Sequence, residues 1–240
     1  MATYMRSVKL TDPSVQGVLN DLTVIGDFIY LTQASPTPNA MGKPDHSLFK
    51  ELKETYMTLF TKFGIIRKCK NTRADNQVEE EAECEEEVKE EIGVGNGITT
   101  NGFTKLWAVD NQARDIVEFD VDYQTGNLKL NQRIEIGSII DNLHYDVNTG
   151  NIMASTLARG IEFINFTNAV KRGEDTSKVP ITSGVIELLF KDGKFQDKQE
   201  LMLQQTISSG SVAIPWGKGA NRRIFVGSWH DPKLAICTGL

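Results

Sequence analysis

The chain lacks the sequence features of membrane-spanning proteins and of cysteine-based metal sites. No stretch approaches the roughly 20 consecutive apolar residues that a membrane-spanning helix needs. There are only three cysteines, Cys69, Cys84 and Cys237, and their spacing is not that of metal ligands. On spacing alone, we interpret them as buried or idle thiols of a reducing compartment.

Familiar active-site motifs are also missing. The sequence has no nucleophile elbow, no phosphate-binding loop and no His-x-x-x-His pair. The three histidines, His46, His144 and His230, lie far apart, and we interpret each as an ordinary surface or core residue. The segment 209–211 (Ser-Gly-Ser) is interpreted as a turn. A formal net charge of −6 argues against a nucleic-acid partner.

What the sequence does contain is a series of short apolar runs separated by turn residues. Asn-Gly pairs at 96–97 and 101–102 predict two-residue hairpins, because both residues tolerate positive φ. The pattern Asp-x-x-Thr-Gly-Asn occurs twice, at 122–127 and 146–151. Repeated hairpins of this kind predict an all-β fold built from the blades of a β-propeller, in one domain over residues 1–240.

Other segments yield separate predictions. An apolar stripe predicts an amphipathic helix at 47–63, which either packs on a sheet or forms a lid over a pocket. The segment Gly160–Phe166 is predicted to be a strand. Because like charges repel, the acidic region 76–92 predicts a disordered surface insertion. The short basic group Arg67, Lys68, Lys70 and Arg73 is interpreted as a solvated face.

Oxygen-bearing side chains at strand ends are the candidates for chemistry. Asn96 and the pair Asp141-Asn142 occupy matching places before two predicted strands. In a propeller the first strands of the blades converge on one axis, so such side chains can surround one cation. Carboxylate and amide oxygens are the ligands that hard Ca²⁺ prefers. The alternative is that these residues only shape turns.

From Leu19 to Leu240 the chain resembles the later part of the paraoxonase/arylesterase family, which consists of calcium-dependent six-bladed propellers that hydrolyse lactones and aryl esters. The order and spacing of several short segments carry the resemblance. These segments are Leu19-Asn20-Asp21-Leu22, Asn96-Gly97-Ile98, Asp141-Asn142, Thr149-Gly150-Asn151, Gly210-Ser211-Val212-Ala213 and Phe225-Val226-Gly227 through Cys237. The resemblance implies a partial six-bladed β-propeller of about four blades.

The resemblance also implies roles for particular residues. Asn96, Asp141 and Asn142 fall on ligands of the catalytic calcium, and the helix at 47–63 falls on one that covers the active-site mouth. The residues that fall on the wall of the substrate pocket are Val94, Phe163, Ser211 and Trp229. The implied partner is a small ester or lactone, and the family also associates with membranes or lipoproteins.

Some positions depart from the family pattern. Gln33 and Ala34 stand where the family places an Asn ligand and an Asp, so only Gln33 still offers an amide oxygen. The family's paired histidines and its acidic ligand have no counterpart here, so no catalytic residue is assigned. Cys237 matches a cysteine that the family pairs with one near its N-terminus. A non-catalytic binding or folding-assistance protein of the family is therefore an alternative, as is a sugar-lactone hydrolase or strictosidine-synthase-like propeller.

Localisation has two alternatives. The resemblance implies an extracellular or secretory protein, and the sequon Asn165-Phe166-Thr167 agrees with a glycoprotein. If Met1 is the true start, the absence of an apolar run after it predicts a cytoplasmic protein instead.

Overall fold

The computed structural model describes residues 7–10, 18–35, 64–70, 79–157, 160–176, 179, 181–191, 194–229 and 231–238. Contacts divide the chain into two compact units, Met1–Ile134 and Glu135–Leu240. Each unit contains two β-sheets, and the described part of the chain is almost entirely β-structure. The predicted all-β class is confirmed, with four blade-like sheets of a partial β-propeller. The prediction of a single domain stays a prediction.

The first unit contains a five-stranded and a four-stranded sheet. Their strands are β1 (Ser7–Leu10), β2 (Val18–Ile25), β3 (Phe28–Ser35), β4 (Gly64–Lys70), β5 (Glu79–Ile92), β6 (Gly95–Thr100), β7 (Lys105–Asp110), β8 (Asp115–Val121) and β9 (Leu128–Glu135). The spatial orders are β1-β5-β4-β3-β2 and β6-β7-β8-β9. The neighbours from β2 to β5 and from β6 to β8 are antiparallel, whereas β1 runs parallel to β5. Alternate apolar residues of both sheets, among them Tyr30, Ile66, Leu106 and Phe119, form one buried core.

The second unit contains a four-stranded and a three-stranded antiparallel sheet. Its elements are β10 (Ile139–Tyr145), β11 (Ile152–Leu157), α1 (Gly160–Lys171), β12 (Thr182–Lys191), β13 (Lys194–Ser208), β14 (Gly210–Trp216), β15 (Arg223–Ser228) and β16 (Ala235–Cys237). The spatial orders are β10-β11-β12-β13 and β14-β15-β16. The core between the two sheets includes Met153, Val185, Ala213, Ile224 and Val226.

The two Asp-x-x-Thr-Gly-Asn segments form matching turns, as their repetition predicts. In the first, Gly126 N donates to Asp122 O at 2.7 Å, and in the second Gly150 N donates to Asp146 O at 2.8 Å. Both glycines have positive φ, 71° and 77°. At Gly126 a Cβ would also lie 2.6 Å from the Phe28 ring, so only glycine fits.

The acidic tract is not the disordered insertion that its composition predicts, because residues 79–92 form strand β5. Residues 76–78 lie outside the described residues. Strand β5 forms because it pairs with β4, which carries Arg67, Lys68 and Lys70 of the basic group, and Arg67 stands opposite Glu86. Arg73 lies outside the described residues. Lys68 is buried and contacts Glu85 at 2.8 Å and Glu87 at 3.0 Å, so it is not part of a solvated face. Burial lowers the pKa of Lys68, but these two carboxylates outweigh burial and raise it.

Two of the three cysteines form a disulfide, which corrects the interpretation as idle thiols. Cys69 on β4 and Cys84 on β5 are direct cross-strand neighbours and are joined. Cys237 is a free thiol on β16 and lies 3.7 Å from Met202 Sδ. Spacing along the sequence could not reveal the bond, because it depends on the register between two strands.

The segment at 160–166 was predicted to be a strand, and this prediction is wrong: it begins helix α1. Phe166 and Ala169, three residues apart, are both buried, which is helical spacing. Glu162 in the first turn accepts a hydrogen bond from Thr182 N at 2.7 Å and ties the helix to the start of β12. Asn165 of the sequon is exposed on this helix.

The predicted amphipathic helix at 47–63 lies outside the described residues. By sequence it belongs to the connection between β3 and β4. Helix α1 occupies the corresponding connection in the second unit, between the second and third strands of its sheet. None of the described helices is long and apolar enough to span a lipid bilayer.

Candidate functional site

A β-bulge interrupts the first strand of every meander near its beginning. The bulged positions are Asn20-Asp21 on β2, Asn96-Gly97 on β6, Asp141-Asn142 on β10 and Ser211 on β14. A bulge re-aims side chains and leaves residues out of the strand ladder, and bulges are frequent next to active sites. All three residues predicted as principal calcium ligands therefore lie at bulges. The Asn-Gly pair at 96–97 is part of this bulge, so the hairpin predicted there is wrong. Asn101-Gly102 does lie in the connection between β6 and β7, but this connection spans residues 101–104 and is not the predicted two-residue hairpin.

In the first unit, the bulges of β2 and β6 are tied together by hydrogen bonds. Asp21 Oδ2 accepts a hydrogen bond from Ile98 N at 3.0 Å. Thr32 lies on β3 opposite the β2 bulge, and its hydroxyl donates to Asn96 O at 2.5 Å. The same hydroxyl oxygen accepts from Asp21 N at 3.2 Å. These contacts fix the backbone of Asn96.

The second unit repeats this arrangement between β10 and β14. Asn142 Nδ2 donates to Ser211 O at 3.0 Å and to Ser211 Oγ at 3.1 Å. Ser155 lies on β11 opposite the β10 bulge, and its hydroxyl donates to Gly210 O at 2.9 Å. Because the amide nitrogen of Asn142 donates to Ser211, the side-chain carbonyl oxygen of Asn142 is the atom that can bind a cation or another group.

The predicted ligands can be assessed one unit at a time. In the first unit Asn96 is half-buried, and its Oδ1 atom is shielded from solvent. In the second unit Asp141 and Asn142 are half-buried neighbours and supply a carboxylate and an amide. Within the described ranges, no group of three or more His, Cys, Asp or Glu side chains is arranged to hold a metal ion. The predicted ligands thus supply one amide at the Asn96 bulge, and one carboxylate and one amide at the bulge of Asp141 and Asn142; these are oxygen ligands suited to Ca²⁺.

Gln33 is a poor candidate for a cation ligand. Its Oε1 accepts a hydrogen bond from Arg67 Nε at 2.8 Å, and both side chains are buried. A guanidinium at this distance repels a second cation at the same oxygen. The amide oxygen that the sequence offers at this position is therefore already used.

The residues predicted to line the substrate pocket belong to both units. In the first unit Val94 precedes β6, and its carbonyl accepts from Asn111 N at 2.9 Å. In the second unit Ser211 belongs to the bulge described above, and Trp229 follows β15. The exposed Trp229 ring meets the Phe166 ring edge-on at 5.6 Å, so helix α1 packs against it. Phe163 lies on the same helix, and only its backbone is described.

Sequence analysis overlooked the hydroxyl groups that hold the bulges, Thr32 and Ser155. They stand opposite the bulge of their own sheet and bond to the next sheet of the same unit, so no local motif marks them. Ser209, which was interpreted as part of a turn, lies between β13 and β14 and has positive φ. His144 is half-buried on β10; burial lowers its pKa, although the charge of Asp146 opposes this.

The comparisons with known proteins concern the fold. No protein-family model matches the chain, and no curated protein matches it. Solved structures do match. A candidate 6-phosphogluconolactonase from Bacteroides uniformis has a TM-score of 0.54 at 11% identity, with 97% of this chain and 54% of that chain covered. A candidate gluconolactonase has a TM-score of 0.50 at 14% identity, with 92% and 58% covered.

A third match is regucalcin, a calcium-binding protein from Agrobacterium tumefaciens, with a TM-score of 0.46 at 14% identity and with 89% and 54% covered. A TM-score below 0.5 is too low to support a conclusion about this chain. The chain spans little more than half the length of these structures. At identities of 11% and 14%, the first two matches establish one property of this chain, the β-propeller fold.

Proposed function

We propose that the chain is a lactone hydrolase of the propeller type, with aryl esters as a further substrate class. One observation carries the proposal: the bulge at Asp141-Asn142 presents a carboxylate and an amide at the start of a strand, and Ser211 holds the amide in place. The fold shared with a candidate 6-phosphogluconolactonase and a candidate gluconolactonase supports it. Fold alone does not determine activity, so the site residues are what the experiments test.

We further propose that calcium binds at this bulge through the Asp141 carboxylate and the Asn142 carbonyl oxygen. The donor chemistry fits, because both are hard oxygen ligands and the Asn142 nitrogen is turned to Ser211. Bound Ca²⁺ supplies Lewis-acid polarisation of an ester carbonyl. The chain's own contribution is positional: the bulge takes both side chains out of the ladder, and the Ser211 contacts fix the amide rotamer.

Hydrolysis of δ-valerolactone and phenyl acetate by the purified chain, with calcium and after chelation, tests this function. We expect turnover that is lost on chelation and restored by Ca²⁺. Asp141→Asn removes the only charged donor of this bulge, so it is expected to lower turnover and weaken calcium binding at least tenfold. Asn148→Ala, at an exposed turn position of the same unit, is the control. Turnover that is indifferent to calcium removal would contradict the proposal.

The sequence-based prediction that Asn96 also binds calcium has its own test. Asn96→Ala removes a buried amide oxygen while the Thr32 hydrogen bond to the Asn96 backbone stays available. We expect calcium affinity to fall about tenfold, as for loss of one good ligand. Calorimetric titration measures it, with Asn20→Ala as a control at the neighbouring β2 bulge. Unchanged affinity would reject Asn96 as a calcium ligand.

A second candidate function is a calcium-binding propeller without turnover. The engagement of Gln33 by Arg67 favours it, since an oxygen at a position where the family places a ligand is committed to a guanidinium. Calcium binding that Asp141→Asn abolishes, together with no hydrolysis of either substrate, would support this function over the first. Binding accompanied by turnover would reject it.

We also propose that the chain matures in an oxidising compartment. The disulfide between Cys69 and Cys84 supports this, because disulfides persist in secreted proteins and are rare in the cytosol. Mass spectrometry of the protein purified from its native source, with alkylation before reduction, tests it. Recovery of both cysteines as alkylated thiols would contradict the proposal.

A further inference from the structure

Ser209 combines a strained backbone with a buried hydroxyl. It lies between the last residue of β13 and the first residue of β14, and its φ is 55°. Positive φ is uncommon for residues other than glycine. The side chain is fully buried, and Oγ has no hydrogen-bond partner among the residues that the structure describes. Burying a hydroxyl without a hydrogen-bond partner destabilises the folded state, so the presence of this group needs an explanation.

Hydroxyls from two neighbouring strands hold the backbone around Ser209. Ser183 on β12 donates to Ile207 O at 2.9 Å and accepts from Gly210 N at 2.6 Å. Ser155 on β11 donates to Gly210 O at 2.9 Å. A Cβ at Gly210 would lie 2.9 Å from Ser183 Cβ, so the backbone approaches β12 too closely for a larger residue. The residue after Ser209 is therefore fixed from two sides.

The residue before Ser209 is fixed as well. Ser208 N donates to Asp231 Oδ2 at 3.2 Å, and the Ser228 hydroxyl donates to Ser208 O at 2.7 Å. Asp231 N in turn donates to Ser228 Oγ at 2.8 Å. A framework that over-determines its backbone can hold a residue in a sparsely populated conformation, and such residues cluster at functional sites.

Glycine at 209 would relieve the backbone strain and remove the orphan hydroxyl. Other serines in this region, such as Ser155 and Ser183, all use their hydroxyls, which makes Ser209 different. It also lies two residues before Ser211, the residue that holds Asn142 at the candidate site. The free donor is therefore carried by the same chain segment as the contact that positions the site.

We propose that the Ser209 hydroxyl is a substrate-contacting group that donates a hydrogen bond to the carbonyl oxygen of the bound lactone or ester. This inference rests on the proposed function and adds a residue to it. The side chain is fully buried, so this role requires that substrate binding displaces the residues that cover it and excludes water. A hydroxyl held rigidly in a dry site is a stronger donor to a developing oxyanion than the same group in water.

Three variants of the full chain separate this role from a structural one. Ser209→Ala removes the hydroxyl, Ser209→Gly removes the hydroxyl and the backbone strain, and Arg114→Gly is the matched control. Arg114 is exposed and has φ 62°, so its replacement relieves the same kind of strain without touching a hydroxyl. Both glycine variants are expected to raise Tm by about 2–4 °C.

We expect both Ser209 variants to lower kcat on δ-valerolactone on the order of 100-fold, with a smaller change in KM. Arg114→Gly should leave kcat unchanged. If both Ser209 variants keep kcat within about twofold of wild type, the hydroxyl is structural or holds an internal water, and the inference fails while the proposed function stands.

A lactam that is not hydrolysed, δ-valerolactam, keeps the inference testable if the wild-type chain shows no turnover. Its carbonyl can accept the same hydrogen bond, and calorimetry measures its binding. Binding that Ser209→Ala weakens about tenfold supports the role of Ser209 even where hydrolysis is absent. Equal binding by both proteins, or no binding by the wild type, overturns it.

Discussion

The Asp21 carboxylate on β2 accepts a hydrogen bond from the backbone nitrogen of Ile98 on β6, at 3.0 Å from Oδ2. Asn142 and Ser211 form the counterpart in the second unit, with a side chain at the bulge of one sheet bonded to the bulge of the next. In each unit, therefore, a polar side chain at a bulge joins two sheets at the end where their meanders begin.

Removal of the Asp21 carboxylate should loosen the first unit. In Asp21→Ala, Ile98 N loses its acceptor and the Leu22 N contact to Oδ1 is lost too. Hydrogen bonds to charged groups contribute about 1.5–3 kcal/mol, so we expect the free energy of unfolding to fall by about 2 kcal/mol. Urea denaturation measures it. Asn20→Ala, at the exposed neighbour in the same bulge, should change it by less than about 0.5 kcal/mol; equal losses in both variants would contradict the assignment.

Glu118 predicts a dependence of stability on pH. Burial raises the pKa of this carboxyl, but hydrogen bonds from Lys105, Gln132, Asn131 and Trp107 outweigh burial and lower it below the ordinary value of 4.5. Because the folded-state pKa is the lower one, the stabilisation is fully present above the unfolded-state pKa and is lost as pH falls through the folded-state pKa. Chemical denaturation of the wild type between pH 3 and about 6 should show this loss. Glu118→Gln should flatten the dependence; an unchanged slope would refute the role of this group.

Arg222 neutralises two buried carboxylates in the second unit. Its Nη2 lies 2.7 Å from Glu187 Oε1 and 3.2 Å from Asp146 Oδ2. Arg222→Met strands both charges in the interior, so we expect a loss of about 3–5 kcal/mol in the free energy of unfolding. The adjacent exposed Arg223 provides the control, and Arg223→Met should cost less than about 1 kcal/mol. Thermal and urea unfolding of the two variants compare them; similar losses would show that the buried network does not stabilise the fold.

The disulfide predicts both reactivity and stability. Of the three cysteines, only Cys237 should react with a thiol reagent under native, non-reducing conditions. The double variant with Cys69→Ala and Cys84→Ala opens a connection with a sequence separation of 15. The chain-entropy relation then gives a loss of about 3 kcal/mol on unfolding. Three reactive thiols in the native wild-type protein would contradict the assignment.

Features set by local chemistry were predictable from the sequence. The turns at 122–127 and 146–151 follow from a glycine with positive φ and an aspartate that caps backbone amides, and both lie within six residues. The all-β class follows from many such turns. Asn96, Asp141 and Asn142 were expected just before two strands and lie inside β6 and β10, near their beginnings. Their role as calcium ligands stays a prediction.

Features that depend on distant partners were not predictable. From the sequence alone, the acidic residues at β5 are predicted to repel one another. In the structure Lys68 of β4 stands opposite them, and the register that pairs β4 with β5 also joins Cys69 to Cys84. The β-bulge at 96–97 looks like a hairpin turn from its two residues alone. A strand was predicted where helix α1 begins, because the apolar residues of a seven-residue segment fit both the strand period and the helix period. The spacing from Phe166 to Ala169, which extends beyond that segment, favours a helix.

The stability of strand β5 depends on positive charge that its neighbour β4 supplies. The Glu85 and Glu87 carboxylates both contact Lys68, whose positive charge offsets their mutual repulsion. Salt, which screens charge over about 10 Å at 0.1 M, weakens attraction and repulsion alike, while acid removes the carboxylate charges altogether. The contact between β4 and β5 thus responds to its ionic surroundings through the charges of Lys68, Glu85 and Glu87.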